Sequence, residues 1–302
     1  MNGTNRANDQ LRQANRAATP TKATDAAIAT FGTRGHRFDV NDDDILNFAL
    51  NLEYLEANFY LLAATGTGLT ADETTGVIGS GRHRSSTEPS GTVTGGSQVD
   101  FTSNPVIGSI ALKISEDEHN HVTLLRGALG NKAVDQPNID LTDAFAAAAS
   151  AAGLGSGFTP FDSPTDFLLG AFIFEDVGVT AYHGASTYIR SDEYLSVAAG
   201  ILAVEAYHAG CIRSQLFTLG QAASGLITAA NAISALRASA DGSGGTGNDS
   251  PLTDSNGDIN VAAADSNSVA YSRTFQEVLN IVYLGGTTSG GFFPDGVNGR
   301  IS

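Results

Sequence analysis

The sequence predicts an all-α protein: a four-helix bundle assembled from two duplicated helical hairpins. Three observations predict it. Glu118-His119-Asn120-His121 and Glu205-Ala206-Tyr207-His208 both read E-x-x-H, and an Arg stands five residues after the final His of each, at Arg126 and Arg213. Two further glutamates each precede a tyrosine by seven residues, Glu53 with Tyr60 and Glu175 with Tyr182. The order E-x6-Y, then E-x-x-H-x4-R, therefore occurs once in each half of the chain, as an internal duplication would leave it.

The first helix is carried by NLEYLEANFY, where Ala49, Leu52, Glu53, Phe59 and Tyr60 share one side. The second carries Ile107, Ala111, Ile114, Glu118, His121, Leu125 and Ala128 at intervals of three and four. Between them, residues 65 to 104 are rich in Gly, Ser and Thr and lack a helical period, which predicts a long surface insertion. Residues 131 to 162 form the crossover between hairpins, with a short helix within 141 to 153. Ser163-Pro164 then opens a third helix over 164 to 190, because Pro suits the first helical turn. Its stripe is Leu168, Phe172, Glu175, Val179 and Tyr182. Ser191 caps the fourth, whose stripe is Ile201, Glu205, His208, Ile212 and Leu216. A fifth helix over 222 to 239, a polar loop over 240 to 267, a last helix over 270 to 284 and an irregular Gly-rich strap complete the chain. Within the polar loop, Asp254 to Asp258 has part of a calcium-loop pattern without the terminal Glu.

On a helix, a Glu and a His three residues apart sit about 60° apart around the axis and one turn apart along it, so one ion can take both. Ionised carboxylates on four apolar stripes are costly unless a cation or a hydrogen-bond network compensates them. The predicted metal ligands are therefore Glu53, Glu118, His121, Glu175, Glu205 and His208. Glu56 lies near the same side as Glu53, as a third carboxylate or an interface residue; its counterpart in the second half is Gly178. Tyr60 and Tyr182 are core aromatics whose hydroxyls could meet a ligand Glu or His. Asp117 could orient His208 by accepting its second ring N–H, or could be a solvated acid of the run Glu116-Asp117-Glu118. Arg126 and Arg213 are expected to pair with helix-end carboxylates. His119, His183, His36 and His83 have no duplicated counterpart and are expected on the surface or in structural roles, and Cys211 as a buried inert thiol.

With these residues in place, ILNFALNLEYLEANFY at 45 to 60 and the ligand order resemble the ferritin-like superfamily, more narrowly its desiccation-related branch. SRTFQEVLNIVYLGG at 272 to 286 and GGFFPDGVNGRIS at 290 to 302 are similar to that branch's C-terminal signature. The resemblance implies a ferritin-like domain over 38 to 302 holding a dinuclear Fe or Mn centre, and an exported protein. Such a centre binds dioxygen or peroxide and exchanges two electrons. That points to Fe(II) oxidation or peroxide removal in stress protection. A manganese-catalase-like enzyme is one alternative, and a structural or assembly-forming envelope or matrix protein with a vestigial or purely structural site is another.

The net charge of −16 is uneven: residues 1 to 39 carry six Arg or Lys against three Asp, leaving −19 on the remainder. Nucleic acid is excluded as a partner for so acidic a body. Residues 1 to 37 hold too few large apolar side chains to form a core and are expected to be a flexible or assembly arm in a homo-oligomer. No stretch is expected to span a membrane, and no cleavable signal segment is visible.

Overall fold

Four polar caps set the starts of the four principal helices. In this computed structural model, which describes residues 40–75, 90–243 and 248–302, α1 spans Asp42–Thr65 behind Asn41, whose side chain accepts from Asp44 N–H while Asp44 answers to Asn41 N–H. After the one-turn helix α2, Ala71–Thr74, comes α3, Pro105–Leu129, capped by Asn104. The crossover contains α4, Asp143–Ala151. Ser163 then caps α5, Pro164–Ser186, and Ser191 caps α6, Asp192–Gly220. Each such cap is worth about 1 kcal/mol. Beyond the bundle lie α7, Ser224–Ala240, and α8, Phe275–Val282.

The hairpins form as the duplication predicts: α1 packs along α3, and α5 along α6. Their members differ in burial. Ile45 through Tyr60 of α1 and Phe167 through Tyr182 of α5 are buried without a break, whereas α3 and α6 bury only one stripe. A helix apolar all round must be covered on every side. Here the covering comes from α7, α8 and the C-terminal strap, in which Phe292, Phe293 and Val297 are buried. Asn51 anchors the strap by donating to Asn298 O at 2.8 Å and accepting from Asn298 N–H at 3.0 Å.

Several boundaries differ from expectation. The third helix of the bundle ends at Ser186 rather than 190. The last helix starts only at Phe275, because Arg273 N–H is already committed to Thr180 O and Thr274 supplies the cap. Ala128 is exposed, and Leu129 takes its place in the core. The flanks of the insertion are fastened to the bundle: Val99 N–H donates to Ala63 O, and β1, Val93–Thr94, pairs in parallel with β2, Ile139–Asp140. Gly91 is required there, since a Cβ would stand 2.2 Å from the Pro137 carbonyl carbon. Glycine in this segment thus reports close backbone packing as well as turns. The arm expected at 1 to 37 and the middle of the insertion, 76 to 89, lie outside the described residues.

The polar loop holds two like turns eleven residues apart. Asp254 Oδ1 accepts from the N–H groups of Asn256 and Asp258, and Asp265 Oδ1 accepts from those of Asn267 and Val269. The Asp254 carboxylate is thereby spent on its own backbone.

The expectation of no membrane-length stretch needs correction. By length and composition α6 passes, with a mean hydropathy of 1.5 over its most apolar window. Its outward face carries Leu195, Ala199, Ala203 and Ala206 and few charges, which raises the mean hydropathy. In this fold the helix supplies Glu205 and His208 to the bundle interior.

Candidate metal centre

Each of the six predicted ligands stands on a buried stripe, and the four helices bring them together. Their side-chain donor atoms fall into two groups, Glu53, Glu118, His121 and Glu205, and Glu118, Glu175, Glu205 and His208, each within a 4.8 Å span. Glu118 and Glu205, one from each E-x-x-H, belong to both groups. The remaining Glu and His of each hairpin serve one group each, so the duplication in sequence becomes a twofold arrangement in space.

Both imidazoles turn Nδ1 toward the carboxylates. His121 Nδ1 lies 3.2 Å from Glu53 Oε2, 3.2 Å from Glu118 Oε2 and 3.5 Å from Glu205 Oε1. His208 Nδ1 lies 3.0 Å from Glu118 Oε1 and 3.5 Å from Glu175 Oε2. Two donors bonded at right angles to one ion at about 2.1 Å stand about 3 Å apart, so these separations suit a shared cation.

The hydrogen-bond inventory makes the same demand. Glu175 Oε2 and both Glu205 oxygens are buried and have no hydrogen-bond partner, and Glu118 Oε1 and His208 Nδ1 have no partner but each other, at 3.0 Å. Buried polar atoms are rarely left so, and three carboxylate oxygens at one place call for a ligand. Four carboxylates and two neutral imidazoles balance two divalent ions in charge.

Electrostatics shows how ill-suited the group is to standing alone. Burial pushes Glu205 well above the usual carboxylate range, and its neighbours Glu118, Glu56, Glu53 and Glu175 add repulsion. Burial also raises Glu53 to about 7, against the pull of His121. For Glu118 burial is overcome by His121 and His208, which bring it down to about 2. Burial disfavours charged imidazoles, yet the surrounding carboxylates raise His121 and His208 to about 11. An acidic nest of this kind recruits protons or metal ions.

Around the six stand the predicted supporting residues. Tyr60 of the first hairpin donates its hydroxyl to Glu175 Oε1 of the second, and Tyr182 of the second donates to Glu53 Oε1 of the first. Burial holds both phenols well above their ordinary range, so both stay protonated donors. Asp117 Oδ2 sits 3.4 Å from His208 Nε2, and Lys113 holds its other oxygen at 2.8 Å. Asp117 has no equivalent for His121, since the duplicate position is Val204.

The arginines differ from expectation. Arg213 is fully buried and chelates Asp176, the neighbour of Glu175, at 3.0 and 2.7 Å. Arg237 joins the same carboxylate at 2.7 Å and, with Arg273, reaches Asp249. Arg126 meets no helix-end acid among the described residues; it donates to Tyr54 Oη at 2.5 Å and to Thr75 O. His119 pairs with Glu73 and so ties α2 to α3. Cys211 is half-buried, and burial pushes its thiol up.

Glu56 is the residue on which the sequence was ambiguous. It is 6 % exposed, and burial, with Glu118, Glu53 and Glu175 nearby, keeps its carboxyl well above the usual range. A Cβ at the duplicate position, Gly178, would stand 2.4 Å from Glu205 Oε2. The missing side chain is thus what gives the Glu205 carboxylate its place.

A bundle that gathers its acids in this way carries a dinuclear metal site of the Fe or Mn type, as found in oxidoreductases and catalases of this architecture. The chain belongs to the ferritin-like domain family, which it matches over residues 41–218. It is similar to the ferritin-like catalase Nec2 of Nesocodon mauritianus, 25% identical over 300 residues that cover 92% of this chain and 89% of that protein. It is also similar to the desiccation-related protein PCC13-62 of Craterostigma plantagineum, 30% identical over 184 residues, 59% of this chain and 53% of that protein. No solved structure gives a significant match.

Proposed function

We propose that the protein is a dinuclear Fe or Mn oxidoreductase that removes hydrogen peroxide, in the net reaction of two peroxides to one dioxygen and two waters. One peroxide gives up two electrons and two protons, and the other accepts them. The observation that carries this reading is the pair of buried His/Glu groups sharing Glu118 and Glu205. Its support in sequence is the likeness to a protein named as a catalase along nearly the whole chain. A bound metal pair would supply the two-electron exchange that this reaction needs.

The protein's own groups do the rest. Glu53 and His121 would hold one ion, Glu175 and His208 the other, and Glu118 and Glu205 both. Tyr60 and Tyr182 fix the outer glutamates by hydrogen bonds that water cannot reach, and Asp117 fixes the tautomer of His208. The likeness to a desiccation-related protein supports a role in protection during drying. Leu112 and Leu124 on α3, with Leu195 and Tyr207 on α6, are exposed apolar side chains that favour assembly into a homo-oligomer, which light scattering on the full-length protein tests.

Oxygen release from peroxide by protein loaded with Mn, and separately with Fe, is the direct experiment. Two metal ions per chain with oxygen evolution are expected. Stoichiometric metal without peroxide consumption or Fe(II) oxidation would return the site to a structural role.

A further inference from the structure

Tyr54 and Asp176 hold the same place in the two halves of the chain: each directly follows the lone glutamate of its hairpin, Glu53 or Glu175. Arg126 and Arg213 also hold matching places, five residues after His121 and His208. In the fold each arginine reaches the matching partner within its own hairpin. Arg126 donates to Tyr54 Oη at 2.5 Å, and Arg213 donates to both Asp176 oxygens, at 3.0 and 2.7 Å. One contact therefore occurs twice, made to a neutral phenol in the first half and to a carboxylate in the second.

Charge is not what the two pairs have in common; position is. Consecutive helical residues are turned by about 100° and raised by about 1.5 Å, so a contact at 54 or 176 fixes the rotation and height of the ligand Glu beside it. Each pair ties α1 to α3, or α5 to α6, within about two turns of all three ligands of that hairpin. Both pairs are also held from outside the bundle. Tyr54 donates onward to Val134 O at 3.1 Å, and Arg126 donates to Thr75 O. Arg213 spends its remaining N–H groups on Ser250 O, Pro251 O and Asn260 O, so all five donors of its fork are committed. A planar group bonded on so many sides cannot slide along the helix without breaking several bonds at once.

We propose that Arg126 and Arg213 are positioning residues, each setting the register of an E-x-x-H helix against its lone-Glu helix so that the three ligands of one hairpin meet one ion. This role rests on the metal-binding part of the function proposed above and not on its peroxide chemistry. It accounts for the arginine that accompanies each E-x-x-H in the sequence. It also requires the two pairs to act separately, each chiefly on the ion of its own hairpin.

The test uses the full-length chain with one histidine removed, so that a single ion remains. In His208→Ala protein that ion belongs to Glu53, Glu118, His121 and Glu205; in His121→Ala protein it belongs to Glu118, Glu175, Glu205 and His208. Mn(II) affinity is read by titration, following the magnetic-resonance signal of the free ion. Tyr54→Phe or Arg126→Leu should weaken the ion about tenfold in the first background, the lower end of what outer partners of a metal ligand contribute. The loss should be clearly smaller in the second, where the first hairpin reaches the ion only through Glu118. Arg126→Lys, which keeps a cationic donor, should restore part of the affinity. Arg213→Lys should show the opposite preference between backgrounds. Circular dichroism checks folding, and Tyr54→Phe, which removes one hydroxyl, decides the matter if Arg213→Lys does not fold. Pairs that only stabilise the fold would lower the melting temperature and weaken both backgrounds alike or neither, and either result overturns the proposal. A parent that binds no Mn(II) overturns the ligand assignment and this proposal with it. A parent that binds two ions yet releases no oxygen from peroxide removes the proposed function alone, and the affinities still decide the role of the arginines.

Discussion

Tyr182 hydrogen-bonds Glu53 across the bundle, a phenol of the second hairpin serving a carboxylate of the first, and Tyr60 returns the contact to Glu175. The groups that support a metal ligand typically affect its affinity by ten- to a hundredfold. Tyr182→Phe should therefore weaken the ion held by Glu53 and His121 about tenfold, and Tyr60→Phe the ion held by Glu175 and His208, in a crossed pattern. Competition with a chelator of known affinity checks this. Equal weakening of both ions by either substitution would show that the hydroxyls do not act through single glutamates.

Sharing predicts a second pattern. Glu118 and Glu205 belong to both ligand groups, and His121 and His208 to one each. His121→Ala or His208→Ala should leave about one ion per chain, whereas Glu118→Ala or Glu205→Ala should leave none tightly held. Elemental analysis after desalting reads the difference directly, with circular dichroism to confirm that the helices persist.

The acid and imidazole shifts fix the sign of a pH effect. In metal-stripped protein Glu53 is raised to about 7 and the two histidines to about 11, so the folded chain binds more protons than the unfolded chain from about pH 4.5 upward. Stability from these groups is therefore lost as pH rises through 7 and on toward 11. Glu118, lowered to about 2, works the other way, but only below about 4.5. Metal binding displaces the same protons and so strengthens with pH. The gap in melting temperature between Mn-loaded and metal-stripped protein should widen from pH 5 to pH 8 in scanning fluorimetry. A constant gap would contradict the ligand assignment.

Asp176 carries a different burden. It is buried between Arg213 and Arg237, and against the cost of burial those two cations hold it below the usual carboxylate range. Removing one partner of a buried ion pair costs about 3 to 5 kcal/mol, because the other charges remain. Asp176→Asn should destabilise the protein by about that amount in urea unfolding at pH 7. Because a lowered acid contributes stability above its unfolded pKa and loses it as pH falls through the folded one, the difference between parent and variant should shrink in acid.

Much of this was readable in the chain because it is local. An E-x-x-H pair, a cap such as Ser163-Pro164 and an apolar stripe are each set within one or two helical turns, and the duplication supplied an internal control that picked Glu53 over Glu56. What escaped reading depends on residues far apart in sequence. Arg237 meets Asp176 across 61 positions, and Arg273 meets Thr180 across 93, with no pattern in either segment to announce a partner. The Gly-rich insertion was legible as irregular but not as packed, since composition cannot tell a glycine that turns from one that, like Gly91, admits another backbone.

The shared glutamates have an ancestral consequence. Neither hairpin supplies a complete ligand group: the first contributes Glu53, Glu118 and His121 to a group completed by Glu205, and the second contributes Glu175, Glu205 and His208 to one completed by Glu118. A founding hairpin with one copy of this pattern could have worked only beside its own twin, with each tyrosine satisfying the other's acid. Two hairpins carried in one chain, unlike twins from one gene, need not be identical. Here one copy has an acid at position 56 while the other has no side chain at 178, a division of labour that no symmetric pair can encode.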